Sequence, residues 1–289
     1  MDLKTFVVDG WRDHADDARG VADRLGDGLA LVTEEAQIAD LLGLAHHVFG
    51  EHLGTWGEGL AYFGRVAALP RFAVDGTSGQ TLRRCTASLS LAGGFDDLRS
   101  GLPASDRIRV GAMAAASLAE HDVARAMKFF AEALEQARSA GLAPEDPSNR
   151  ALAITGNNLA VAIEQKAQRS PAERELMILA AQTARHCWEI AGTWLETERA
   201  EYRLAMTWLQ AGDPTRAREH AQACLDIVEA NGNLPLEAFF GWEAMGRVER
   251  ASGNRAGHAH ALAMARPQFE RLPEDDKAWC RESLTALEA

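Results

Sequence analysis

Apolar residues recur along most of the chain at the three- and four-residue intervals that place them on one face of an α-helix. Helix-start signals divide this pattern into segments. Ser170-Pro171-x-Glu173 and Thr193-x-x-Glu196 are capping boxes, in which a hydroxyl and a carboxylate accept hydrogen bonds from the first free amides. These signals predict helices over 9–25, 34–52, 55–69, 78–93, 106–120, 122–140, 147–168, 171–191, 194–211, 214–231, 235–252, 254–271 and 274–287.

Short connections, often containing glycine, join the predicted helices. Helices joined by tight turns pack as antiparallel hairpins, so the sequence predicts an all-α fold of stacked hairpins. Prolines and glycines interrupt the pattern over 69–105, which we interpret as a shortened repeat, with a hinge between two helical blocks as the alternative. The predicted domains are degenerate N-terminal hairpins over 1–104 and a repeat array with a C-terminal capping helix over 105–289.

Composition supports a helical protein and narrows the classes of partner. Alanine and leucine are abundant, whereas the β-branched and aromatic residues typical of strands are few. The net charge of −12 opposes binding to nucleic acid or to an anionic membrane surface, so neither is expected as a partner. No signal peptide or transmembrane segment is recognisable, and the cysteines show no paired spacing. We therefore expect buried free thiols and a cytoplasmic location.

Small residues recur at one position of successive hairpins. They are Ala114, Ala160, Ala205 and Gly246, at intervals of 41 to 46 residues. A small residue at this point lets two helices approach closely, while bulkier neighbours fill the space beside it. The recurrence predicts a repeated hairpin, with a helical bundle without repeats as the alternative.

The residues around these positions resemble the tetratricopeptide repeat (TPR) family. Trp242-x-x-Met245-Gly246 matches the first half of the TPR pattern, and Ala126-x-x-x-Phe130 matches the second half. The interval exceeds the usual spacing of about 34 residues, so the chain resembles the elongated repeats of bacterial regulatory and sensor proteins. The resemblance implies a right-handed superhelix, an α-solenoid, whose concave face binds a protein or peptide.

The TPR resemblance also implies which residues face the ligand, because the first helix of each hairpin lines the concave face. The candidate groove residues are Asn157, Asn158, Arg199, Tyr202, Arg203, Met206, Phe240 and Arg247. Arg199 and Arg203 share one helical face, and guanidinium groups bind carboxylates in bidentate fashion. We therefore expect a ligand with an acidic group or a C-terminal carboxylate. The alternative is a solvated face on which Arg199 pairs with Glu196.

Possible metal ligands are densest at 46–52, where His47 and Glu51 stand four residues apart. Their order differs from the zinc-protease motif and no third ligand is visible nearby, so we interpret these histidines as ordinary core or surface residues. No metal or other cofactor is expected. Nucleotide-binding and catalytic motifs are also missing, so the sequence predicts a protein that is not an enzyme.

The sequence therefore predicts a non-enzymatic scaffold or adaptor that binds a protein or peptide. The alternatives are a regulatory module that senses a small molecule or peptide and, less favoured, a metal-dependent enzyme centred on His47 and Glu51. A homodimer is a further alternative, because the terminal hairpins of a solenoid can pair between two copies of the chain. Four tryptophans are interpreted mainly as fillers between helices, with one or two as a groove wall: Trp188, Trp194, Trp208 and Trp242.

Overall fold

The computed structural model describes residues 1–289. It contains fourteen α-helices and no β-strand, which confirms the all-α prediction. The helices are α1 (Leu3–Asp13), α2 (Ala18–Leu29), α3 (Gln37–His47), α4 (Trp56–Ala67), α5 (Thr77–Gly93), α6 (Ala104–Leu118), α7 (Val123–Ser139), α8 (Pro147–Glu164), α9 (Pro171–Ala191), α10 (Trp194–Ala211), α11 (Pro214–Ala230), α12 (Pro235–Ala251), α13 (Arg255–Glu270) and α14 (Glu274–Glu288). A π-helical turn, Val48–His52, follows α3, and a 3-10 turn, Leu98–Gly101, follows α5. None of these helices combines the length and the apolar character needed to cross a bilayer.

Both predicted capping boxes are present. The Ser170 hydroxyl accepts from the backbone N–H of Glu173, and the Glu173 carboxylate accepts from the backbone N–H of Ser170 at 2.7 Å. Thr193 and Glu196 make the equivalent arrangement at the start of α10. These bonds satisfy amides that the first helical turn leaves without partners, which is why α9 and α10 begin where the sequence predicts.

The N-terminus differs from the prediction of one helix over 9–25. Asp2 accepts a bond from the backbone N–H of Thr5 and starts α1 well before residue 9. Asp17 accepts from the backbone N–H of Gly20 at 2.9 Å and starts α2. The single-helix prediction is wrong because Asp17 caps a new helix instead of continuing the first.

The chain divides into two compact units, residues 1–151 and 152–289. The predicted domain boundary after residue 104 falls inside the first unit, at the start of α6, and it stays a prediction. Fully buried aliphatic side chains such as Leu25, Ile38 and Leu41 form the core of the first unit.

In the second unit, each helix from α9 to α14 packs against the next one along the chain, and α10 and α14 both also contact α12. Ala160 and Ala205 are fully buried in this packing. A Cβ atom on Gly246 would lie 2.5 Å from the side chain of Leu287 on α14. Small residues at these positions thus allow close contact between helices, and the packing order is that of consecutive helical hairpins.

Candidate ligand-binding cavity

A cavity of about 560 Å³ opens in the second unit between α8, α10, α12 and α14. It is lined by Asn157, Glu198, Arg199, Tyr202, Arg203, Leu236, Glu237, Phe240 and Trp279. The structure therefore brings five of the eight candidate groove residues to one cavity. A volume in this range suits a small molecule or a few side chains of a peptide.

Three aromatic side chains form one wall of the cavity. The ring centroids of Tyr202 and Phe240 lie 5.6 Å apart in an edge-to-face arrangement. The ring of Phe240 in turn lies 5.1 Å from that of Trp279 on α14. Trp279 is 65% exposed, which is unusual for a tryptophan, the largest of the apolar side chains. This wall presents apolar surface that a ligand can remove from water.

Arg199 and Arg203 have different surroundings, although the sequence predicts the same role for both on one face of a helix. Arg199 donates to the Glu237 carboxylate on α12 at 2.9 Å, and its side chain is 58% exposed. Arg203 donates to Glu164 at 2.5 Å and is 22% exposed, while Glu164 itself is buried. Arg199 thus retains donors that a ligand can reach, whereas Arg203 neutralises a buried carboxylate.

Three candidate residues do not line the cavity. Arg247 donates to the fully buried Glu243, which also accepts from the Tyr202 hydroxyl at 3.1 Å. Met206 is buried, and Asn158 is exposed. Arg247 therefore supports the aromatic wall through Glu243 and Tyr202, and it does not belong to the cavity surface.

Glu198 is a buried carboxyl group at the edge of the cavity. The Cys224 thiol donates to its Oε1 at 2.7 Å, and its Oε2 has no hydrogen-bond partner. Burial raises the pKa of Glu198 to about 7, and the nearby Glu237 carboxylate adds to this effect. The group therefore changes charge near neutral pH, at a point next to the cavity.

The Glu198 titration predicts how stability changes with pH. Because burial raises the folded-state pKa of Glu198 above its ordinary value of 4.5, the stability that Glu198 contributes at low pH is lost as the pH rises through about 7. Glu198→Gln carries no such charge. Relative to the unfolding free energy of wild type, we expect that of Glu198→Gln to increase by about 3 kcal/mol between about pH 4.5 and pH 8.

Urea denaturation of both proteins over this pH range measures the effect, and Glu229→Gln on an exposed face of α11 is the matched control. A stability difference between wild type and Glu198→Gln that does not vary with pH would contradict the raised pKa.

Sequence reasoning missed four cavity residues, which are Glu198, Leu236, Glu237 and Trp279. Trp279 lies outside every repeat motif. The only signal for it is a tryptophan in a helix that is otherwise rich in charged residues. Trp208 is buried, as a filler between helices should be. Trp242 packs edge-to-face against His260 and is not a cavity residue.

No model of a known protein family matches this chain, and no curated protein matches its sequence. The resemblance to TPR proteins therefore rests on the sequence positions described above, and it stays a prediction.

Proposed function

We propose that this chain is a non-enzymatic helical-repeat module that binds a segment of a protein or peptide in the cavity of its second unit. The observation that carries the proposal is the exposed ring of Trp279, which extends an aromatic wall beside the accessible guanidinium of Arg199. Exposed aromatic surface next to an arginine is the composition of protein-binding hot spots.

The two parts of the cavity select different features of the ligand. A large apolar side chain of the ligand packs against Leu236, Phe240 and Trp279. An acidic side chain or C-terminal carboxylate then accepts hydrogen bonds from Arg199. Because Glu237 already neutralises Arg199, the apolar contact supplies most of the affinity and the carboxylate supplies selectivity.

The proposal includes a TPR-like architecture for the hairpins. Buried small residues at the predicted crossings and the packing of each helix against the next support it. The right-handed superhelix of the TPR family is part of this proposal. A cytoplasmic location is also proposed, supported by four buried cysteines that form no disulfide.

The test is a selection of random peptides with free C-termini on immobilised wild-type protein. We expect the retained peptides to share a large apolar residue close to an acidic residue or the C-terminal carboxylate. Trp279→Ala should weaken the binding of a selected peptide by about 30-fold, the effect of removing a hot-spot side chain. Arg199→Ala should weaken it less and remove the preference for acidic peptides.

Trp11→Ala is the matched control, since Trp11 is also an exposed tryptophan but lies in the first unit. It should leave peptide binding unchanged. Equal binding of the selected peptides to wild type and Trp279→Ala, or no enrichment of any peptide, would overturn the proposal.

A small-molecule sensor is the second candidate. The cavity volume of about 560 Å³ favours it, because small-molecule pockets in proteins have volumes in this range. Native mass spectrometry of protein purified from its own host distinguishes the two. A copurified small molecule that is lost in Trp279→Ala would support the sensor over the peptide-binding module.

A further inference from the structure

Three histidines converge in the first unit, far from the cavity along the chain. One ring nitrogen from each of His14, His47 and His52 lies within 4.8 Å of the other two. The Nε2 atoms of His47 and His52 are 3.0 Å apart. The three ring centroids are 4.7 to 4.9 Å from one another, with the rings steeply inclined, so the imidazoles surround a common point.

The local backbone creates this convergence. His47 ends α3, and His52 ends the π-helical turn that follows. Two residues five apart in a regular α-helix point about 140° away from each other. In the π-helical turn the N–H of Leu53 bonds the carbonyl of Val48, five residues earlier, and this wider turn brings His52 back over His47.

The third histidine comes from a distant part of the sequence. His14 follows α1 directly and meets the other two across the packing of α1 on α3. The sequence therefore does not reveal it as the ligand that the His47–Glu51 pair lacks. His46 takes no part, because its ring is buried and bonds Ser88 in the core at 2.9 Å.

The outer nitrogens of two of these rings are held by acceptors. His47 Nδ1 lies 3.1 Å from Glu51 Oε2, and His14 Nδ1 lies 2.5 Å from the carbonyl oxygen of Trp11. An acceptor at Nδ1 fixes the proton there and leaves Nε2 as a lone-pair donor. This carboxylate–histidine or carbonyl–histidine arrangement is the usual surrounding of histidines that bind metal.

We propose that His14, His47 and His52 bind a divalent transition-metal ion, with Zn²⁺ as the best fit, and that Glu51 orients His47. Imidazole nitrogens suit Zn²⁺, and tetrahedral ligands at about 2.0–2.1 Å from the metal lie about 3.3 Å from one another. The separation between His47 and His52 is close to this value. Three protein ligands leave the fourth position to water, and the exposure of His52 gives the ion an entry path.

The site also has a structural consequence. The metal would join the end of α1 to the end of α3 and to the π-helical turn. Metal binding to the folded state but not to the unfolded state stabilises the fold. The melting temperature of the first unit should therefore rise when Zn²⁺ is added.

The test uses tag-free, full-length protein treated with a chelator and titrated with ZnCl2 against a chromophoric zinc chelator. We expect one Zn²⁺ per chain. His14→Gln, His47→Gln and His52→Gln should each weaken binding by at least about 100-fold. Glu51→Gln should weaken binding by about 10- to 100-fold, as loss of an orienting acceptor does.

His186→Gln, at an exposed histidine of the second unit, is the matched control and should bind Zn²⁺ as wild type does. Circular dichroism of each variant without metal shows whether it is folded. Zinc should raise the melting temperature of wild type and His186→Gln but not of His47→Gln. Wild-type affinity in folded His47→Gln and His52→Gln, or no stoichiometric binding by wild type, would overturn the proposal.

Discussion

Arg203→Ala is expected to lower the unfolding free energy by about 3 kcal/mol at neutral pH. The substitution leaves the Glu164 carboxylate, whose side chain is only 8% exposed, without its cation. The Thr207 hydroxyl, which donates to Glu164 at 2.5 Å, compensates only part of the charge. The loss should shrink as the pH falls, because burial already raises the pKa of Glu164 and protonation removes the uncompensated charge.

Arg266→Ala is the matched control for this result. It also removes an arginine from an ion pair, but Arg266 and its partner Glu288 are both exposed, so we expect a loss below about 1 kcal/mol. Urea denaturation followed by circular dichroism compares the two variants. Equal losses for Arg266→Ala and Arg203→Ala would contradict the buried ion pair between Arg203 and Glu164.

Gly156→Ala is expected to destabilise the second unit by about 2–3 kcal/mol. A Cβ at this position of α8 would lie 2.5 Å from the backbone carbonyl oxygen of Ala180 on α9. It would also lie 3.2 Å from the backbone nitrogen of Ala184, so backbone atoms and not flexible side chains must move. Helix propensity alone predicts the opposite effect on stability, because alanine in a helix interior is favoured over glycine by about 1 kcal/mol.

Gly64→Ala in α4 is the control, because a Cβ there meets no atom within 4 Å. This variant should be stabilised by about 0.5–1 kcal/mol. Thermal and urea denaturation of both variants measures the pair of effects. A stabilised Gly156→Ala would contradict the close approach of α8 and α9 on which the hairpin packing depends.

The sequence predicts most of the fold because helix starts are local events. A capping box such as Thr193-x-x-Glu196 is a motif of four residues that marks the start of a helix. In the structure α10 begins directly after Thr193, as this motif predicts. The break between α1 and α2 is harder to predict, because Asp17 also fits inside a helix. Only the hydrogen bond from the backbone N–H of Gly20 to the Asp17 carboxylate identifies Asp17 as the start of a new helix. The π-helical turn after His47 has no sequence signature that periodicity detects.

The candidate sites are less predictable than the helices, because their main contacts join residues that lie far apart in the sequence. The partner of Arg203 lies 39 residues away on another helix, and a single sequence gives no information about that pair. Trp279 reaches the cavity through the packing of α14 on α12. His14 likewise reaches His47 through tertiary packing. Helical position predicts which residues share a face, but not which faces meet.

Fluorine NMR of protein labelled with 5-fluorotryptophan tests the central claim most directly. The seven tryptophans give separate resonances, and Trp279→Phe identifies the one that belongs to Trp279. Addition of a selected peptide should shift the Trp279 resonance and leave that of Trp11 in the first unit unchanged. A peptide that binds without affecting the Trp279 resonance would contradict the placement of the ligand between α8, α10, α12 and α14.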